Sequence, residues 1–476
     1  MINYYGNEIK WIPVIEKSNK PIYKLIAECI ENDIASGKLH IGFRLPSQRI
    51  IASYLGINHS TVTKAYQICE EKGLVNGIVG KGTFVSSTSR IPSEVLSHNK
   101  NKNIIEMGMV LSVYEMNNLI KSAIDEVAKY MDDEVAFRYT PPEGALKHRF
   151  IASEWLKKFG VMADADNIII TAGSQNAIST ILISLFHKGD RIAVDKYTYT
   201  GMKNICELLG IILIPVKGSK EGMDIDELRL ICRRDNVKGM YLIPDCHNPT
   251  SITMGTNSRR EIARIIEEYN ILLIEDGTFS FCLEEKSQPI YELIPNHTIY
   301  IQGTSKSLNP SFRISYMVAS KKYIGNLKKG LNSVSWMASP YMAELVSLFQ
   351  YTSMYAELVK AKQKLLRERN MVFDRLLEGF TIIPSNTAPF RYLILPKNVD
   401  DIFIEEECLK AGLQVFSTKR FLVGTENELN ALRVSISGPE TMKDLESGLK
   451  ILKDVINYYS NDVNNKYINY DTDMIL

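Results

Sequence analysis

Apolar residues recur with a helical period over the first seventy positions and, from about residue 167 onward, gather in short unbroken runs. In "PIYKLIAECIENDIASGKL", Ile22, Leu25, Ile26, Cys29 and Ile30 fall at i, i+3, i+4, i+7 and i+8, which predicts an amphipathic helix ended by Gly37. In "RLPSQRIIASYLGI", Ser47 is placed to cap a short helix carrying Ile50, Ile51 and Tyr54, and Gly56 permits a tight turn. "HSTVTKAYQICEEKG" predicts a third helix that buries Val62, Ala65, Tyr66 and Cys69 and stops at Gly73. Two short β runs follow in "LVNGIVGKGTFV", around Gly77, Gly80 and Gly82. Three helices with a tight second turn, then a hairpin, describe a winged helix-turn-helix over residues 18–86.

Residues 87–104 lack any sustained period and have the polar composition of a linker. Beyond them, apolar runs alternate with longer helical patterns: "NIIIT" (167–171), "RIAV" (191–194), "IILIPV" (211–216), "GMYLIP" (239–244), "NILLIED" (270–276), "TIYIQG" (298–303) and "ISYMVAS" (314–320). Such alternation predicts an α/β domain over 105–460, with a mostly parallel sheet covered by helices on both faces. Residues 461–476 form a polar tail.

Composition narrows the classes. The chain has 476 residues, 45% hydrophobic and 23% charged, as in globular domains. Its 56 basic and 55 acidic residues nearly cancel, so any affinity for nucleic acid must be local. Between residues 20 and 85, eight bases face five acids. The seven scattered cysteines show no C-x-x-C and sit in apolar runs, which favours reduced packing residues over disulfides or a metal site. No basic start followed by an apolar run opens the chain, and no apolar stretch is long enough to span a membrane, so a cytoplasmic location is expected.

The second helix of such a motif enters the major groove with its N-terminal residues at the base edges. Here that end offers His59, Ser60, Thr61 and Thr63, with Lys64 beside them; Arg49 is placed for a phosphate or a guanine edge. Taken alone, a polar helix face is ordinary. The whole stretch "GKLHIGFRLPSQRIIASYLGINHSTVTKAYQICEEKGLVNGIVGKGTFV" resembles the GntR-type winged helix along its full length. That resemblance implies contact with double-stranded DNA by Arg49, His59, Ser60, Thr61 and Thr63, with Lys81 and Gly82 of the wing near the minor groove. His59 departs from the family, which often has arginine there.

In the second part, "TSKSLNPSFR" (304–313) places Lys306 and Arg313 in a loop between two apolar runs. A buried lysine loses hydration of its charged form and becomes a nucleophilic amine, the chemistry that captures pyridoxal 5'-phosphate (PLP). That cofactor needs N–H groups at a helix start and a cation for its phosphate, a carboxylate for its ring nitrogen, a stacking partner, and a donor for its 3' oxygen. The chain supplies Gly173, Ser174 and Gln175 with Arg313, then Asp276 in "LLIED", Tyr199 in "DKYTYTG", and Asn248 in "PDCHNPTS". Each taken singly has a bland reading as a cap, a core ring or a surface charge.

In this order they resemble the fold-type I aminotransferases over roughly 105–455, and the fusion to a GntR head resembles the MocR/GabR-type regulators. The resemblance implies PLP held covalently by Lys306, a pyridinium partner in Asp276, a phosphate held by Arg313 and the 173–175 turn, and Arg433 in "ALRVSIS" on a substrate or effector carboxylate. Two positions depart from that pattern. Thr278 stands where the family usually has the tyrosine that donates to the 3' oxygen. Gly303 replaces a hydroxyl residue, leaving Thr304 and Ser305 as phosphate donors. The expected function is a PLP-dependent, homodimeric DNA-binding regulator sensing PLP or an amino compound. The alternatives are a working transaminase with an accessory DNA-binding head, and a GntR-type repressor whose body only dimerises.

Overall fold

The computed structural model describes residues 11–15, 20–35, 39, 43–78, 82–85, 104–285, 287–397, 399–424, 427 and 429–461. The chain divides into two units, Met1–Asn103 and Ile104–Leu476, each with its own core.

In the first unit, α1 (Ile22–Ala35), α2 (Gln48–Leu55) and α3 (His59–Glu71) precede an antiparallel hairpin of β1 (Val75–Ile78) and β2 (Gly82–Val85). Ser47 caps α2, its hydroxyl accepting from the Ile50 amide at 3.4 Å, and Gly56 takes the left-handed turn at φ 63°. Val62, Ala65, Tyr66 and Cys69 are all buried against Ile26 and Ile30 of α1. Two expected core positions differ. Ile22 and Tyr54 are exposed; the buried stripe runs through Ile26, Ala27, Ile30 and Ile34 of α1 and through Ile51 and Ala52 of α2. The expected stop at Gly37, the wing residues Gly80 and Lys81, the linker and the tail from 462 lie outside the described residues.

In the second unit a seven-stranded sheet forms from β3 (Ile168–Thr171), β4 (Arg191–Asp195), β5 (Ile212–Val216), β6 (Gly239–Leu242), β7 (Leu272–Asp276), β8 (Thr298–Gly303) and β9 (Ser315–Ala319). Their order is β3-β9-β8-β7-β6-β4-β5, and β9 alone runs antiparallel to its neighbours. Successive side chains alternate between faces: Ile192 and Val194 join one core while Ala193 joins the other, and Tyr241 faces opposite to Met240 and Leu242.

A second, smaller sheet was not separated by the run pattern. It contains β10 (Thr381–Ile382), β11 (Phe390–Ile394), β12 (Phe416–Ser417) and β13 (Ala431–Ser435), all antiparallel. Its core includes residues from the helices Met354–Leu376, Asp401–Lys410 and Met442–Asn461. The chain enters this unit at Ile105–Glu106, paired in parallel with Leu413–Gln414. Among the described residues no helix is long and apolar enough to cross a membrane, no group of side chains is arranged to hold a metal ion, and all seven cysteines are free.

Candidate functional site

Ligands of parallel sheets bind beyond the carboxyl ends of the strands. There β3 leads into the turn Ala172–Gly173 and the helix α4 (Ser174–Leu185), β7 ends on Asp276, and β8 ends on Gly303, three residues before Lys306. Because β9 is antiparallel, its first residues and Arg313 lie at this same edge. One reversed strand thus returns a cation to the loop side of the sheet.

Gly173 adopts φ 89°, a region open to glycine, and a Cβ there would stand 2.3 Å from Arg313 Nη2. Arg313, itself left-handed at φ 50°, donates to the Ala172 carbonyl at 3.2 Å and to Ser305 Oγ at 3.3 Å. Gly173 spends its own N–H on the Thr171 carbonyl. The N–H groups offered to an anion are therefore those of Ser174 and Gln175, the first two of α4. Gln175 ties its side chain to the Gly201 carbonyl at 3.1 Å. Thr304 turns its hydroxyl to the Ile314 carbonyl at 2.7 Å, which leaves Ser305 as the hydroxyl beside Arg313.

The space a side chain at Gly303 would fill is occupied by the Ser174 and Thr278 hydroxyls, 3.1 Å apart. Asp276 is buried and held by neutral donors, the Thr278 amide at 2.9 Å and the Tyr241 hydroxyl at 3.0 Å. Burial raises its carboxyl above the usual range, and the bonds from Thr278 and Tyr241 oppose that rise. Tyr199, at the start of the helix Thr200–Leu209, has its hydroxyl raised by burial and by the Asp276 charge, while Arg313 and Arg433 act against both.

Lys306 is half-buried and donates to the Val110 carbonyl at 2.5 Å. Burial, then Arg433 and Arg313, lower its amine to about 8, so roughly a tenth is unprotonated at pH 7, far more than for an ordinary lysine. Arg433, central in β13, donates to Asn248 Oδ1 at 2.8 Å and to the Gly108 carbonyl at 2.5 Å, and its guanidinium lies 4.6 Å from the Phe421 ring centroid. With its oxygen so engaged, Asn248 keeps its amide N–H groups as donors.

Two partners escaped sequence reasoning. Tyr241 sits in an apolar strand run, where nothing marks its hydroxyl as bound for Asp276. Val110 acts through its backbone carbonyl, which no side-chain pattern reveals.

In the head, Arg49, His59, Ser60 and Lys64 are exposed and Thr61 and Thr63 half-buried. Asn58 caps α3, accepting from the amide and hydroxyl of Ser60 at 3.0 Å each. Thr63 donates to Gln48 Oε1 at 2.8 Å, joining α3 to α2. Lys64 lies over the Tyr23 ring at 4.3 Å, so part of its charge is engaged within the head. Gly82, at φ 116°, backs onto Arg44, an exposed arginine in the "RLPS" turn that the sequence reading left aside; a Cβ there would sit 3.0 Å from its Nε.

Residues 106–450 match the family model for aminotransferase class I and II, and residues 22–85 match that for bacterial regulatory proteins of the gntR family. The chain is 35% identical over 453 residues, 95% of its length and 98% of the relative's, to the uncharacterized HTH-type transcriptional regulator YdeF of Bacillus subtilis. The chain belongs to the MocR/GabR-type GntR regulators. Another member of this group of HTH-type regulators, NorG of Staphylococcus aureus, is 23% identical, with 84% of this chain and 97% of NorG covered. Among solved structures, an archaeal alanine:glyoxylate aminotransferase superposes with a TM-score of 0.72 at 21% identity, covering 78% of this chain and 96% of that one. Pyrococcus horikoshii kynurenine aminotransferase, solved with PMP, gives 0.70 at 22%, covering 77% and 94%. These likenesses establish the fold of the regulator's second unit, the fold-type I architecture of a PLP-dependent family.

Proposed function

We propose that this regulator binds PLP in its aminotransferase-like unit, senses the cofactor or a small amino compound there, and reads an operator in double-stranded DNA through its head. One observation carries the reading: a buried carboxylate, Asp276, is held by the neutral donors Thr278 and Tyr241, and a buried guanidinium, Arg433, donates to neutral acceptors with the Glu106 charge nearby, in a site that also holds a lysine with a depressed amine. Buried charges are costly unless paired. A ligand with a cationic ring nitrogen and a carboxylate would give Asp276 and Arg433 each a directly bonded ionic partner.

The residues fit the cofactor. The Ser174 and Gln175 N–H groups, with Arg313 and Ser305, would hold its phosphate, and the cradle between Gly173 and Arg313 has no room for a side chain. Asp276 would face the ring nitrogen and hold a proton there by its charge. Tyr199 would lie against the ring, and Asn248 would donate to the 3' oxygen. PLP supplies an aldehyde open to amines and a ring that withdraws electrons. Lys306 is the nucleophile toward that aldehyde, and Arg433 the group that orients an effector carboxylate.

A homodimer accords with an aromatic surface patch in which Tyr139 and Trp336, 76% and 59% exposed, stack at 5.1 Å. We assign this patch to a second copy of the chain, working in the cytoplasm on a symmetric operator. A working transaminase is the second reading, favoured because Lys306, Asp276 and Arg433 are all present. An absorbance spectrum of the purified protein with PLP, then with a panel of amines and amino acids, tests the proposal. A visible band that shifts with an amine supports sensing, continuous keto-acid release favours the enzyme, and absence of any band overturns both.

A further inference from the structure

The helix Met354–Leu376 buries Tyr355, Leu358, Lys362, Leu366, Arg369 and Phe373 on one stripe, so an amine stands where the period asks for an apolar side chain. Lys362 is 2% exposed. Its ammonium donates to three neutral oxygens: the Leu308 carbonyl at 2.7 Å, the Lys306 carbonyl at 3.0 Å and Ser112 Oγ at 3.4 Å. The three donors of a lysine thus match three acceptors, two of them on the loop that carries Lys306. Both amines line one small cavity with Val110, Leu111, Ser112 and Phe281.

We propose that Lys362 is a positioning residue for Lys306: it clamps the loop through two carbonyls, and its charge disfavours a second charge on the neighbouring amine. Two ammonium groups in one enclosed crevice repel, so one proton is preferentially given up. Burial lowers both amines, Lys306 to about 8 and Lys362 to about 7, and Lys306 further lowers Lys362. Against that order, Lys362 has three acceptors for its ammonium and Lys306 a single carbonyl, and on this geometry the proton stays with Lys362. The other charged or titratable groups facing the pair are Arg433 and Arg313, which lower Lys306, and Cys282, which faces Lys362 and whose thiol burial holds neutral. The role matters for the function proposed above, but its test does not depend on the cofactor.

That test is competitive labelling with acetic anhydride across pH, read on the Lys306 peptide by mass spectrometry. The amine nitrogen bonds to the carbonyl carbon, acetate leaves, and the amine loses a proton, so only the unprotonated form reacts. Lys362→Gln and Lys362→Met should raise the pH midpoint for Lys306 by about one unit, a roughly tenfold loss of labelling at neutral pH. Lys362→Arg, which keeps the charge, should stay within about twofold of the wild type. An unchanged midpoint in the neutral variants, or Lys362→Arg behaving like Lys362→Gln, overturns the proposal. A merely structural role would change the labelling rate at every pH and leave the midpoint in place, which also overturns it. The methionine variant is isosteric enough to keep the stripe packed should glutamine unfold the helix. PLP uptake measured on the same samples judges the cofactor reading separately.

Discussion

Gly173 and Arg313 approach so closely that a methyl group on the glycine would stand 2.3 Å from Nη2 of the arginine. With φ at 89°, the glycine is needed for its backbone as well as for its size. Gly173→Ala should therefore push Arg313 out of the cradle and lower PLP affinity at least about tenfold, with a strain cost of about 1–2 kcal/mol. Equilibrium dialysis against PLP and a thermal melt measure the two effects. Wild-type affinity in Gly173→Ala would show that the phosphate lies elsewhere.

Lys306→Ala removes the nucleophile and leaves the packing of the sheet intact, since the Lys306 side chain donates to the Val110 carbonyl, outside the sheet. The variant should bind operator DNA as the wild type does while losing its response to an amine effector, a coupling of about 1–3 kcal/mol. Titrations of operator with and without PLP and effector measure it, and an undiminished response excludes exchange at Lys306 as the signal.

Arg49 is exposed on α2, within the first unit. Arg49→Ala should weaken operator binding by about 1–3 kcal/mol if it reads a base edge, or flatten the salt dependence if it holds a phosphate. The PLP spectrum should stay unchanged. Bleaching of that spectrum would refute the separation of the two chemistries.

Arg433→Leu removes the guanidinium that this reading gives to a carboxylate. Discrimination between amino acids and the corresponding simple amines should fall by about 100-fold, the worth of a charge-assisted bidentate pair. Paired effector titrations, acid against amine, provide the ratio. A ratio equal to that of the wild type falsifies the assignment.

Glu344 is buried; that burial raises its carboxyl, but bonds from His148 and Lys147 outweigh it and bring the group down to about 2. A carboxyl depressed in the folded state stabilises above its unfolded value, near 4.5, and that contribution is lost as pH falls toward 2. Wild-type stability should thus drop between pH 4.5 and 2 more steeply than that of Glu344→Gln. Denaturant melts at several pH values compare the slopes; equal slopes would assign acid sensitivity to other groups.

How much of this was legible depended on whether a residue type alone implies its partner. The strands of the large sheet were visible as apolar runs; most are buried on both faces, which leaves no alternation to confuse them, and the half-buried edge strand β5 is apolar as well. Lys306, Asp276 and Arg313 stood out as charges at the ends of those runs. The small antiparallel sheet was missed because Thr381–Ile382 and Phe416–Ser417 are two-residue strands, too short to carry a period. Thr304 and the Gly173 amide were assigned to an anion, yet both bonds go to backbone carbonyls, Ile314 and Thr171. Side-chain chemistry suggests such donors, but only the path of the neighbouring chain decides where they point. Lys362 was invisible for the same reason, one lysine among several in "VKAKQKLLRER".

The stretch from Gly108 to Ser112 offers an oxygen at every second residue to a different cation: Gly108 to Arg433, Val110 to Lys306, Ser112 to Lys362. The chain's own oxygens are thus internal competitors for the groups a carboxylate or an aldehyde would claim. On the proposed function, a ligand that takes Arg433 and Lys306 would do so by exchange of partners, and each exchange would unfasten one stitch of this extended segment. Its position makes that consequential. The segment begins four residues after the linker to the DNA-binding head, so the part of the body that loses its fastening is the part nearest in sequence to the head.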